Sequence, residues 1–115
     1  MSNLNEDNLN LVFQVISYFT PAVFIVVGMP LALKLIGRNN WYGLRTPRTL
    51  QNETTWYAVN TVGGWAFVIT GLVSITLIYW LFNSWQGTLT AKLLISVIVP
   101  IILMAIGLIF AFRAG

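Results

Sequence analysis

Three long runs without a charged side chain divide the sequence: one between Asp7 and Lys34, one from Thr54 to Ala91, and one from Leu93 to Phe112. Their apolar parts cover about residues 11–35, 57–82 and 93–112. Each reaches the roughly 20 residues that cross a hydrocarbon core of about 30 Å at about 1.5 Å per residue. Backbone amides in lipid must be satisfied within their own segment, so the pattern predicts three transmembrane helices. The first run begins behind Glu6 and Asp7 with no basic stretch, and its apolar part exceeds a signal-peptide core, so it is read as a retained span. The expected fold is an all-α integral membrane protein of one domain over residues 1–115. A structured basic and aromatic loop, residues 37–56, joins the first two spans.

Composition removes the alternatives. The chain is 57% hydrophobic and 8% charged, with Lys+Arg 6 and Asp+Glu 3. A soluble domain carries about three times that charged fraction. A soluble monomer and a disordered chain are both excluded. Six cations in an apolar chain do not make a nucleic-acid surface, and none is expected as a partner. Without His or Cys, thiolate and imidazole chemistry are gone, and no metal or cofactor is expected. The one acid beyond residue 7 is Glu53, so paired carboxylates are lacking and no catalytic residue is expected.

The distribution of cations carries more than their number. Lys34, Arg38, Arg45 and Arg48 fall in the first loop and Arg113 follows the third span, whereas the second loop holds Lys92 alone. The positive-inside rule places the first loop and the C-terminus in the cytoplasm, and the N-terminus outside. Arg38, Trp41, Tyr42 and Arg48 read as lipid or interface anchors. Pro21 and Pro30 predict a kink or break in the first span, either a tolerated kink or a hinge lining a cavity. Gly28 with Ala32, and Gly107 with Ala111, permit close helix contacts, within the chain or in a homo-oligomer.

The first loop is longer than a connector needs. Thr46 before Pro47 is a helix start, a hydroxyl cap followed by proline at the first helical position, and predicts a short helix over about 47–50. Asn52 followed by Glu53 repeats the logic and starts the second span near Glu53. On that helix Glu53, Trp56 and Asn60 share a face. A partly buried pair between Arg45 and Glu53 is the expected ionic contact, with a lipid phosphate the other option for the guanidinium. Candidate ligand- or partner-binding residues are Arg45, Thr46, Pro47, Glu53, Trp56 and Asn60. Each has a plainer reading: Trp56 as an interface anchor, Glu53 as a helix-start charge, Asn60 with Gly63–Gly64 as helix packing.

The run Gly43-Leu44-Arg45-Thr46-Pro47, then Thr49-Leu50, Glu53, Trp56, Asn60 and Gly63-Gly64, resembles the signature of the SdpI family, bacterial toxin-immunity membrane proteins. The chain is similar to that family's C-terminal three-span module. Two positions depart from the pattern: Arg48 stands where Trp is frequent, and Asn60-Thr61 where His-Arg or Asn-Arg is frequent. The resemblance implies a location in the bacterial cytoplasmic membrane. It also implies immunity or resistance to a membrane-active peptide, with a secreted peptide toxin and a cytoplasmic repressor as partners. The alternative from the residues themselves is an oligomeric small-solute or lipid transporter or channel subunit. Pro21, Pro30 and polar Gln14, Ser17, Thr20, Asn60, Thr70, Ser74 and Thr76 motivate it. The absence of an ionisable residue deep in a span opposes it.

Overall fold

A computed structural model describes residues 5–114. Five helices follow one another: α1 (Glu6–Ser17), α2 (Phe19–Ala32), α3 (Pro47–Gln51), α4 (Glu53–Asn83) and α5 (Leu89–Arg113). Three continuous stretches are long and apolar enough to cross a membrane: Asp7–Ala32, Glu53–Asn83 and Leu89–Arg113.

The first stretch is α1 and α2 in series, interrupted at the single residue Tyr18, whose backbone keeps near-helical angles (φ −73°, ψ −15°). The interruption lies upstream of the proline responsible. Pro21 lacks an amide and its ring crowds the carbonyl four residues before it, at Ser17. The Ser17 hydroxyl also donates to the Phe13 carbonyl at 2.7 Å, a back-bond that bends helices. The interruption thus falls within one span, Asp7–Ala32.

The helix then stops at Ala32, three residues short of the expected end at Leu35. The Leu35 amide donates to the Pro30 carbonyl (2.9 Å) and the Lys34 amide to the Leu31 carbonyl (3.2 Å). That pair of bonds closes the helix as a Schellman motif. Lys34 occupies its left-handed position at φ 61°, where glycine is usual.

The other starts follow from their caps. The Asn5 side chain accepts from the Asn8 amide at 2.9 Å. Thr46 and Thr49 form a capping box around α3, with Pro47 at its first position. The Asn52 side chain accepts from the amides of Thr54 and Thr55, and the Thr88 side chain from that of Ala91. The expected starts at Thr46-Pro47 and Asn52 match the structure, while α5 begins four residues before the apolar run at Leu93.

Helix α4 is the hub and touches every other helix. Its adjacent glycines serve two different neighbours. A Cβ on Gly64 would lie 2.3 Å from the Ala32 amide nitrogen and 2.7 Å from the Gly28 carbonyl oxygen, so α2 packs backbone to backbone there. A Cβ on Gly63 would strike the Leu44 side chain at 2.5 Å and meet the Ala111 methyl on α5 at 3.6 Å. On α5, Gly107 faces Ala66. The small-residue pairs foreseen in the first and third spans therefore close contacts within this chain. Ile78, Leu81 and Phe82 form a buried cluster at the opposite end of α4, with Phe13, Tyr18 and Leu93 around it. Outward faces carry large apolar side chains such as Val15, Phe19, Val26, Ile69, Ile101 and Phe110, the surface a hydrocarbon solvent favours.

Candidate functional site

The segment from Gly37 to Asn52 is folded, and its hydrogen bonds explain how. The Asn39 side chain accepts from the amides of Trp41 (2.8 Å) and Tyr42 (2.6 Å) and donates to the Gly37 carbonyl (2.7 Å). This Asx turn reverses the chain. The Tyr42 hydroxyl then reaches the Val27 carbonyl on α2. Burial pushes the Tyr42 phenol above its ordinary pKa.

Next comes a crossing that only glycine fits. Gly43 has φ +109°, and a Cβ there would lie 2.7 Å from the Asn60 side-chain oxygen and 3.1 Å from the Trp56 ring. The contact lets Asn60 grip the main chain of the next residue. Its Oδ1 accepts from the Leu44 amide at 2.6 Å and its Nδ2 donates to the Leu44 carbonyl at 3.3 Å. Nδ2 also donates to the Trp56 carbonyl at 3.0 Å. The Thr49 hydroxyl adds a further bond to the Leu44 carbonyl at 3.0 Å. Trp56 is fully enclosed, and its Nε1 donates to the Ile36 carbonyl at 3.0 Å. Asn60 and Thr49 are likewise 2% and 0% exposed, so these groups act on the loop's backbone rather than on solvent.

The candidates therefore separate into three sets. Trp56 and Asn60 lie beneath the loop and hold it down. Thr46 and Pro47 start α3. Arg45, Glu53, Arg38, Arg48 and Trp41 are exposed, Trp41 at 74% with its ring edge-on to Tyr42. The expected Arg45–Glu53 pair is absent among the described residues: the Arg45 guanidinium donates to the Asn40 carbonyl instead. Helix α3 intervenes between the two residues, and Glu53 is exposed at the positive end of α4, so neither charge requires the other. Arg48 donates to the Phe112 carbonyl at 2.9 Å, capping the last turn of α5 with a cation. The Asn39 turn went unread in the sequence, although Asn39-Asn40 after Gly37 is itself a turn signal, and Tyr42, expected as a lipid or interface anchor, bonds to α2 instead.

Chemically, the loop offers guanidinium groups, an exposed indole and hydroxyls. No group of three or more metal-ligating side chains occurs among the described residues. The surface suits recognition of an anionic or amphipathic partner. No curated protein and no solved structure matches the chain. Residues 34–111, which take in the whole tethered loop, α3, α4 and most of α5, match the model described as the SdpI/YfhL protein family. With most of its length in that match, the chain belongs to the SdpI/YfhL family.

Proposed function

We propose that this SdpI-type membrane protein confers immunity or resistance to a membrane-active peptide, binding the peptide or a signalling partner through the 37–52 loop. Family membership supports the class of activity. The observation that carries the role of the loop is its tethering: Asn60, Trp56 and Tyr42 each fix loop backbone or anchor it to a span. A surface held in place before contact loses less conformational freedom on binding than a free loop of equal composition. The exposed Trp41 and Arg45 supply an amphipathic ring and a cation on that surface. The excess of cations at this end supports a cytoplasmic loop and C-terminus.

The test is survival. Bacteria sensitive to the sporulation-delaying toxin or to other membrane-active peptides express the wild-type chain, Trp41→Ala or Arg45→Ala at matched membrane abundance. Protection by wild type that falls sharply in both variants is the expected result. Protection that both variants retain would remove the loop surface from the reading. No protection against any peptide in the panel would overturn immunity, and measurable solute or lipid flux in proteoliposomes would then favour the transport alternative.

A further inference from the structure

At the end of the molecule remote from the loop, α1, the end of α4 and the start of α5 enclose a cleft of about 370 Å³, lined by Asp7, Gln14, Trp85, Gln86 and Lys92 among others. That is room for on the order of ten waters at liquid density. Lys92 is the unusual member. It lies in the first turn of α5 and is only 8% exposed, yet among the described residues no hydrogen bond or ion pair engages its ammonium. Its ammonium stands over the Phe82 ring, whose centroid lies 5.6 Å from Nζ. Lysine is almost never buried without a partner, because desolvating an ammonium is unfavourable unless an anion compensates. The Asp7 carboxylate lines the same cleft without pairing to Lys92, so the site keeps a separated positive and negative group.

From this we infer that the cleft binds a zwitterionic phosphoethanolamine group, its phosphate at Lys92 and its ammonium at Asp7. A bare anion would meet the Asp7 carboxylate, whereas a zwitterion satisfies both charges. The amides of Gln14 and Gln86 provide further donors and acceptors. The lipid is the source of this group that the surroundings favour. The cleft lies at the helix ends, beside the stacked Trp80 and Trp85, where indoles mark the headgroup level. Leu11, 60% exposed on its wall, continues onto the apolar outer face of α1, a path for an acyl chain. This inference is independent of the loop and of immunity.

The experiment uses the full chain, delipidated in mild detergent and titrated by native mass spectrometry. The probes are dioctanoyl phosphatidylethanolamine, dioctanoyl phosphatidylglycerol, free O-phosphoethanolamine and inorganic phosphate. Phosphatidylethanolamine is expected to bind best. Lys92→Met, which keeps the apolar stem, weakens it by about tenfold or more. Asp7→Asn, a change at an exposed position, abolishes the preference over phosphatidylglycerol. Should Lys92→Met fail to fold, judged by circular dichroism, Asp7→Asn alone still decides the matter. Equal binding of both lipids to wild type, or unchanged selectivity in Asp7→Asn, overturns the assignment. Free phosphoethanolamine or phosphate binding as tightly as the lipid would overturn the lipid source.

Discussion

Asn60 does for the loop what a neighbouring strand would do in a sheet: it answers one residue's amide and carbonyl together. Replacing it with Ala leaves the Leu44 amide without its acceptor beside the enclosed Trp56. An unsatisfied group of this kind costs about 1–3 kcal/mol. Asn60→Ala should therefore release the loop while leaving helix content intact, read as faster proteolysis after Arg38 and Arg45 with an unchanged circular dichroism spectrum. Gly43→Ala should act the same way, because it strains the backbone and drives a methyl against Asn60. Tyr42 adds a pH dependence. Its raised pKa means that the folded chain holds the phenolic proton more tightly than the unfolded chain. The stability it contributes is fully present below the ordinary tyrosine range of about 10 and is lost as pH rises through the folded value. Alkaline unfolding should show this loss in wild type, and Tyr42→Phe should lack it. An ultraviolet titration should also lose its late-ionising phenol in that variant.

At the scale of the elements, two backbone features invite substitution. Lys34 sits in a left-handed conformation that disfavours a side chain by about 1–2 kcal/mol. Lys34→Gly should raise stability by a few tenths to about 1 kcal/mol, since glycine's greater unfolded-state freedom offsets part of the relief. Gly64→Ala should do the reverse, by about 1–3 kcal/mol, because the new methyl meets α2 backbone that has nowhere to go. Gly37→Ala, whose Cβ meets nothing nearer than the Tyr57 hydroxyl at 3.6 Å, is the neutral control. Equilibrium unfolding in mixed micelles measures all three.

These elements also show what could be read in advance. The spans were legible because lipid imposes one requirement, a long apolar run. Thr46-Pro47 and Asn52-Glu53 were legible because caps are local chemistry. The end of α2 was not, since nothing local marks a lysine as the left-handed residue of a Schellman motif. Trp56 reads as a belt residue until a loop folds over it, and that fold depends on Asn60 and Gly43 meeting across sixteen residues of chain or more. The Arg45–Glu53 expectation failed for the same reason: proximity in sequence carries no information about the helix between them.

For the molecule as a whole, everything is referred to α4. Helix α2 lies against Gly64, α5 meets Gly63 and Ala66, and the loop hangs from Trp56 and Asn60. Arg48 closes the circuit to the end of α5, but through one exposed bond; Arg48→Ala should change unfolding free energy by under about 1 kcal/mol. The length of the hub has a further consequence. Thirty-one residues make a rod of about 46 Å, against a hydrocarbon thickness of about 30 Å. The helix must lean or protrude, and the balance between the two depends on the thickness of the lipid around it. Because the loop is fastened to the first turns of that rod, a change in lean of about 10° swings it sideways by about 8 Å relative to the rod's other end. Depth-dependent quenching of Trp41 should accordingly differ between vesicles of short and long acyl chains. Any agent that thins the bilayer, a pore-forming peptide among them, thereby acts on the cationic loop through mechanics alone.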